Sequence, residues 1–150
     1  MYLRKKILAI IPARKGSKRL KNKNLKRINN QSLVEISINQ ALNSKYIDDI
    51  IVSSDSEKIL EVAKKYENLI LHKRAKRLSN SKSLIIDLII KLLQINNNNY
   101  DYILLLQPTS LMRETKEIDE CIRKTIKNSF IYIVSLVEAK SYPNFVYNLD

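Results

Sequence analysis

The sequence is poor in the residues that usually provide special backbone shapes or special chemistry. Its 150 residues include one glycine, one cysteine, one histidine, three prolines and no tryptophan. A lone cysteine excludes an intramolecular disulfide, and Cys121 with His72 is too small a set for a Cys/His metal cluster. The composition therefore excludes a disulfide-rich scaffold and gives no sign of an oxidising compartment.

Long hydrophobic runs are also missing. The longest apolar region, Leu84 to Ile95, is interrupted by Asp87 and Lys91 and falls short of the ~20 residues that a membrane span requires. The apolar run near the N-terminus ends at Pro12 and is too short for the core of a signal peptide. We therefore expect a cytoplasmic protein without a membrane partner.

Acidic residues are absent from the beginning of the chain, where basic residues are dense. None precedes Glu35, and the whole chain carries 27 Lys and Arg against 15 Asp and Glu, a formal net charge of +12. Such an excess attracts anions, which include nucleotides, nucleic acids and membrane surfaces. Net charge does not choose among these partners, so the position of the basic residues matters more than their number.

The only glycine lies within this basic segment. The apolar run Ile7 to Ile11 predicts a buried strand that Pro12 ends, and we expect Gly16 to provide a tight bend or a close approach to a ligand. Basic residues surround the glycine: Arg14, Lys15, Lys18, Arg19, Lys21 and Lys23. Loop amides and such cations can bind a phosphate. A solvated surface turn is the alternative, and a Walker A loop is excluded because it needs two glycines.

Apolar runs alternate with segments of helical spacing along the rest of the chain. Further strands are predicted at Ile50 to Val52, Leu69 to Leu71, Tyr102 to Leu106 and Phe130 to Val137. Helices are predicted after Ser32, around Ile59, from Leu84 to Ile95 and after Thr115, with Ser32 and Thr115 as the N-caps. This alternation favours a three-layer α/β fold with a mainly parallel sheet.

Burial and site position follow from the same pattern. We expect the strand Tyr102 to Leu106 to be central and the helix Leu84 to Ile95 to be deeply packed, because both are apolar on most sides. In a parallel sheet the ligand lies beyond the carboxyl ends of the strands. Four parts of the chain follow strands, so one crevice can be lined by all of them: the basic segment, Asp55, the loop after Leu71 and the segment Gln107 to Arg113. For Asp55, which precedes a helix, we expect a capping role.

Three motifs together resemble a known family. They are A-R-x-G-S-K-R-L-x-x-K-N from Ala13 to Asn24, the strand end Ile50 to Asp55, and L-L-Q-P-T-S from Leu105 to Ser110. In this order and near this spacing they resemble the acylneuraminate cytidylyltransferases, which make CMP-activated sialic acids and related nonulosonic acids. The resemblance implies a Rossmann-like nucleotide-diphospho-sugar transferase fold. It also implies that residues 1–150 form a nucleotide-binding domain that is incomplete at its C-terminus, since members of the family continue further.

The same resemblance implies roles for residues of the basic segment. Arg14 and Lys23 match positions that bind the phosphates of CTP, and Asn24 matches an asparagine that shapes this site. Ser17 and Lys18 match the motif as well, and their hydroxyl and ammonium groups suit phosphate oxygens.

Two further residues are implied to recognise the rest of the substrates. Arg74 falls where the family carries an arginine for nucleotide recognition, but its neighbours match poorly and a surface arginine is the alternative. Gln107 is the candidate on the sugar side, because an amide both donates and accepts hydrogen bonds; a loop amide that caps the strand is its alternative. The family usually has Pro-Gly where this chain has Lys21 and Asn22, so we expect a different bend there.

The implied activity is transfer of CMP from CTP to a nonulosonic acid with release of pyrophosphate. The resemblance also implies Mg²⁺, with ligands outside this chain, and a homodimer in the full-length form; no catalytic residue is assigned. Transfer to the eight-carbon acid Kdo, which a related family carries out, is an alternative. It is disfavoured because the motif of that family has no counterpart of Gly16 to Lys18 or of Asn24. A nucleic-acid-binding module is another, disfavoured because the tyrosines form no stacking platform.

Overall fold

Strands and helices alternate along the chain, as the sequence predicts. A computed structural model of the protein describes residues 1–17, 20–79, 83–96 and 99–135. The strands are β1 (Ile7–Pro12), β2 (Arg27–Ile28), β3 (Gln31–Ser32), β4 (Asp49–Ser54), β5 (Ile70–Lys73) and β6 (Tyr102–Leu105). The α-helices are α1 (Leu33–Leu42), α2 (Glu57–Ala63), α3 (Ile85–Ile95) and α4 (Thr115–Lys127), and 3-10 helices cover Lys23–Leu25 and Lys76–Leu78.

Four of the strands form one parallel sheet in the order β5-β4-β1-β6. Ile10 of β1 is paired with Ile51 of β4 on one side and with Leu105 of β6 on the other. Because the strands are parallel, their carboxyl ends meet at one edge of the sheet. We call it the C-terminal edge, formed by the residues that follow Pro12, Ser54, Lys73 and Leu105. The short strands β2 and β3 form a separate antiparallel hairpin.

Helices pack on both faces of this sheet. Ile7, Ala9 and Ile11 belong to a buried cluster with residues of α1, α2 and α4, whereas Leu8 and Ile10 face α3. This follows from the alternation of side chains along a strand, which places neighbouring residues on opposite faces. The three-layer α/β arrangement with a mainly parallel sheet is therefore confirmed.

The N-cap of α1 was predicted correctly, and that of α4 was not. Ser32 caps α1 through a capping box: its hydroxyl accepts the N–H of Glu35, whose carboxylate accepts the N–H of Ser32 at 2.8 Å. Thr115 was expected to cap α4, but Glu114 occupies the N-cap position, and its N–H donates to the carboxylate of Glu117 at 2.8 Å. Thr115 is instead the first residue of α4, and its hydroxyl donates to the carbonyl of Gln40 at 3.5 Å.

Two expectations about burial are wrong. Only Leu88 and Leu92 of α3 are buried, and its other large apolar side chains are mostly exposed, so the helix is not deeply packed. A single helix covers this face, and it therefore buries only one stripe. β6 is an edge strand among the described residues, paired with β1 alone, and is not central.

In the described part of the chain, none of the helices is long and apolar enough to cross a bilayer.

The fifth predicted strand is not present in the described residues. Phe130 to Ser135 follow α4 without strand pairing and are exposed, which contradicts the prediction for that part of Phe130 to Val137. The pattern of alternating apolar residues is compatible with a strand, but a strand also needs a hydrogen-bonding partner. The remaining residues of that prediction, 136 and 137, lie outside the described residues.

Carboxylates gather at the opposite, N-terminal edge of the sheet. Asp48 accepts the N–H of Ile7 at 2.8 Å and pairs with the amino group of Met1 at 2.6 Å. Asp49 pairs with the ammonium of Lys6 at 2.8 Å, and the hydrogen bond from Lys6 lowers the pKa of Asp49. An equivalent pair joins Lys5 to Asp101, also at 2.8 Å. Acidic groups at this edge are therefore matched by cations.

Candidate functional site

The segment that follows β1, residues 13–24, ends within the first 3-10 helix and is held at several points; we call it the basic loop. The N–H of Lys15 donates to Oδ1 of Asp55 at 2.7 Å, and Nδ2 of Asn24 donates to the carbonyl of Arg14 at 2.9 Å. The N–H of Ala13 donates to the carbonyl of Ser53 at 2.9 Å. These bonds fix the beginning of the loop through its backbone.

Two of these contacts bear on the sequence predictions. Asn24 is buried, at 6% exposure, and its hydrogen bond to Arg14 shapes the loop from inside. Asp55 was expected to cap α2, and that expectation is wrong. Ser56 occupies the N-cap position, while the carboxylate of Asp55 accepts the N–H of Lys15. An acid that follows a strand suits either role, and only the approach of the basic loop decides between them.

The loop bends tightly at two places. Asn22 has φ 53° and ψ 35°, a left-handed conformation that asparagine tolerates better than most residues. Gly16 is the central residue of a three-residue turn, closed by the N–H of Ser17 that donates to the carbonyl of Lys15 at 3.1 Å. The predicted bend is therefore present at Gly16, but without the positive φ that favours glycine. A Cβ built on Gly16 meets no heavy atom of the described residues within 4 Å. Close approach to a ligand stays as the prediction for this glycine.

Arg74 follows β5 and is buried, at 7% exposure, so the alternative of a surface arginine is wrong. Its Nε donates to Oγ of Ser53 at 3.2 Å, and its Nη2 donates to the carbonyl of the same residue at 3.0 Å. Burial lowers the pKa of Arg74; the carboxylate of Asp55 opposes this shift and the guanidinium of Arg14 adds to it. The two arginines and Asp55 therefore lie close enough to interact at the C-terminal edge.

Ser53 and His72 complete this side of the site, and the sequence analysis missed both. They are paired in the register of β4 and β5, and Oγ of Ser53 lies 2.9 Å from Nδ1 of His72. Burial lowers the pKa of His72, and the positive charges of Arg74 and Lys91 lower it further. Ser53 lies within the motif Ile50 to Asp55, and both residues directly follow predicted strands, but neither signal shows that the two strands are neighbours.

Gln107 lies on the other side of the basic loop. It is exposed directly beyond β6, and its carbonyl, not its side chain, accepts the N–H of Ser110 at 3.1 Å. β5 and β6 are three strand spacings apart in the sheet, roughly 14 Å. The structure thus brings Arg74, Arg14 and Gln107 to one edge, in that order along it.

The other predicted residues of the basic loop are less fully determined. Ser17 is half-buried, and its N–H donates to the carbonyl of Lys15 at 3.1 Å. Lys23 is half-buried and begins the first 3-10 helix. Lys18 lies outside the described residues.

The end of the segment Gln107 to Arg113 does not face the crevice as expected. Nη2 of Arg113 donates to Oε1 of Gln40 on α1 at 2.8 Å, and Nε2 of Gln40 donates to the carbonyls of Leu111 and Arg113 at 3.2 and 2.5 Å. Burial lowers the pKa of Arg113. This pair fastens the segment to α1, so only its first residues lie at the C-terminal edge.

Neither a metal cluster nor an RNA-binding sheet surface is found in the described residues. No group of three or more His, Cys, Asp or Glu side chains comes together among residues 1–17, 20–79, 83–96 and 99–135. Both faces of the described sheet are covered by helices, so bases have no open sheet on which to stack. The arrangement suits a compact anion at the C-terminal edge.

The fold and the cationic edge define a parallel α/β protein of the kind that binds its ligand beyond the carboxyl ends of the strands. Comparison with known proteins makes the class specific. The family model described as Cytidylyltransferase matches residues 8–148, and the chain belongs to this family.

Named relatives and solved structures agree with this assignment. The chain is 36% identical to the pseudaminic acid cytidylyltransferase of Campylobacter jejuni over 141 residues, which cover 92% of this chain and 60% of that protein. It is 38% identical to the CMP-N,N'-diacetyllegionaminic acid synthase of Legionella pneumophila over 120 residues, covering 78% of this chain and 52% of that protein. Its fold is similar to that of a CMP:2-keto-3-deoxy-manno-octonic acid synthetase complexed with CTP, with a TM-score of 0.68. The sequence identity is 17%, and the match covers 83% of this chain and 49% of that one. The chain thus spans about 60% of the length of the first of these relatives.

Proposed function

We propose that this chain is the CTP-binding part of a cytidylyltransferase that transfers CMP from CTP to a nonulosonic acid and releases pyrophosphate. The observation that carries the proposal is the placement of Arg14 after β1 and of Arg74 after β5 at the C-terminal edge, beside a loop whose beginning is held by Asp55 and Asn24. Two guanidinium groups with one nearby carboxylate leave an excess of positive charge. A triphosphate provides the matching negative charge.

In the proposed reaction the anomeric hydroxyl oxygen of the sugar acid attacks the α-phosphorus of CTP. A phosphorus–oxygen bond forms, the anhydride bond between the α- and β-phosphates breaks, and the hydroxyl proton passes to solvent. The phosphates and the leaving pyrophosphate would be held by residues of the basic loop: Arg14, Ser17, Lys18, Lys23 and Asn24. Arg74 would hold the nucleoside, and Gln107 would hold the sugar. Positioning and charge neutralisation supply most of the catalysis in such transfers.

Mg²⁺ is proposed as the counter-ion that accompanies the triphosphate. The described residues place two carboxylates at the C-terminal edge: Oδ1 of Asp55 accepts the N–H of Lys15, and Glu57 pairs with the ammonium of Lys73. Mg²⁺ prefers six oxygen ligands, several of them phosphates and waters. Two carboxylates that already have partners do not build a magnesium site, so we assign no metal ligand to the described residues and derive no step from the ion.

A nonulosonic acid is the preferred sugar substrate because relatives at 36% and 38% identity are named for pseudaminic and legionaminic acids. The structural likeness to an enzyme for an eight-carbon acid, at 17% identity, concerns the fold alone. We further propose that the enzyme works in the cytoplasm, where CTP is available, and as a homodimer. Light scattering on the protein in its full natural length tests the dimer.

Nucleotide binding is tested by calorimetry with CTP and Mg²⁺ on the wild type and on Arg14→Ala. We expect the variant to weaken CTP binding by about tenfold or more, because it removes a charge-assisted contact to a phosphate. Lys21→Ala is the matched control: it removes one positive charge from an exposed position of the same loop and should change the affinity less than about threefold. Equal effects of the two variants would remove the assignment of Arg14.

Activity is tested by pyrophosphate release from CTP, using the protein in its full natural length. N-acetylneuraminic, legionaminic and pseudaminic acids and Kdo are each supplied as the acceptor. We expect release with at least one of the three nonulosonic acids and little with Kdo. Release with Kdo alone would replace the proposed substrate class, and release with none of the four would contradict the proposed function.

A further inference from the structure

The hydroxyl of Ser53 lies between two polar side chains from the end of β5. Its Oγ accepts the Nε–H of Arg74 at 3.2 Å and lies 2.9 Å from Nδ1 of His72. Ser53 is fully buried, so its own hydroxyl hydrogen needs an acceptor from the protein, and Nδ1 of His72 is within reach. The arrangement therefore selects the neutral imidazole with its proton on Nε2.

The surroundings of His72 favour the same neutral form. The groups that act on it are the hydroxyl of Ser53 from β4, the guanidinium of Arg74 beyond β5 and the ammonium of Lys91 from α3. Two of these three are cations, and burial adds to their effect, so the pKa of His72 lies below its ordinary value. Protonation would place a third positive charge in this group.

Arg74 depends on Ser53 for its orientation. Among the described residues, no carboxylate forms an ion pair with Arg74. The side chain of Arg74 is held instead by Oγ and the carbonyl of Ser53. We propose that Ser53 and His72 are positioning residues that together hold the guanidinium of Arg74 against the nucleoside part of CTP. This inference rests on the proposed function, which gives Arg74 its role in nucleotide recognition.

The test compares CTP with inorganic tripolyphosphate, which probes the basic loop without a nucleoside. Calorimetry in Mg²⁺ should show that Ser53→Ala weakens CTP about tenfold, while the affinity for tripolyphosphate changes less than about threefold. Ser54→Ala is the matched control. Ser54 is also fully buried at the end of β4, but its hydroxyl accepts the N–H of Ser56 instead of touching Arg74, so both affinities should stay near those of the wild type.

A pH series adds a measurement that a merely structural role would not change. From about pH 7.5 to about pH 5.5, the preference of the wild type for CTP over tripolyphosphate should fall by up to about the tenfold that Ser53→Ala removes, because protonation of His72 takes away the acceptor of the Ser53 hydroxyl. His72→Asn keeps a neutral acceptor near the position of Nδ1 and does not titrate in this range. Because the phosphates of the two ligands titrate differently, the wild-type ratio at each pH is compared with the ratio that His72→Asn gives at the same pH.

The outcomes separate this inference from the proposed function. Equal weakening of both ligands by Ser53→Ala, no weakening of either, or a ratio with the same pH dependence in the wild type and in His72→Asn would overturn the positioning role. A wild-type protein that binds tripolyphosphate but not CTP would instead remove the proposed function, and this inference with it. Thermal unfolding of each variant shows whether a loss of binding reflects loss of the fold.

Discussion

At the scale of single residues, the site is held by side chains that act on the backbone of the basic loop. Asn24 reaches the carbonyl of Arg14 from inside, and Asp55 reaches the N–H of Lys15 from the end of β4. Neither contact needs a ligand. The backbone of Arg14 is thereby fixed before CTP binds, which reduces the conformational entropy that is lost on binding.

Gly16 gives a prediction at this scale. Because Gly16 has no positive φ and a Cβ would meet none of the described heavy atoms within 4 Å, Gly16→Ala should not destabilise the protein. A gain of about 0.4–1 kcal/mol in the free energy of unfolding is expected from the stiffer unfolded chain. If a phosphate approaches this backbone closely, the same variant should weaken CTP binding. Urea unfolding and calorimetry measure the two effects.

The contradicting result for Gly16→Ala is a variant that binds CTP like the wild type. It would show that neither the bend nor the ligand requires the only glycine of the chain. Asn22→Gly serves as the control for the bend at position 22, since it keeps the left-handed conformation accessible and should leave both unfolding and binding near the wild-type values.

Sequence reasoning located the candidate site but not its internal contacts. Arg14, Arg74 and Gln107 were placed at one crevice because each follows a predicted strand, and a parallel sheet brings such residues to one edge. The burial of Arg74 and its bond to Ser53 were not predictable, because they depend on β4 and β5 being neighbours in register. The role of Asp55 was missed for the same reason: its partner is 40 residues away in the chain.

At the scale of elements, α3 is the least completely packed of the helices described. Leu88 is 1% exposed, whereas Ile90, two positions later, is 49% exposed. The sequence of α3 is apolar on most sides, and this is why the burial of the helix was overestimated. Periodicity reveals which residues can be buried, but not how much surface the neighbouring sheet offers.

Two matched substitutions in α3 test this packing. Leu88→Ala should lower the free energy of unfolding by about 2–5 kcal/mol, because it leaves a cavity against Leu8 and Ile10 of β1. Ile90→Ala should change it by no more than about 0.5 kcal/mol, because the side chain is half-exposed. The midpoints of urea unfolding give both values. Equal losses would mean that Ile90 is covered in solution.

At the scale of the whole molecule, the net charge of +12 should strengthen the binding of any polyanion. Raising the salt concentration from about 0.05 M to about 0.5 M should therefore weaken CTP binding on the order of tenfold, since salt screens the charges of the protein. Cytidine is the control, because it lacks phosphates and its affinity should change little. Calorimetry at both salt concentrations measures this, and equal salt dependence for the two ligands would contradict it.

The pairing of acids with cations at the N-terminal edge gives the molecule an electric dipole. At that edge the amino groups are offset by Asp48, Asp49 and Asp101. At the opposite end of the strands, Asp55 is the one acidic group found to act on Arg74 among the described residues. An anion that diffuses toward the protein is turned and drawn to the end where the strands finish. The distribution of charge over the two edges thus sets the direction of encounter before any contact with the basic loop is made.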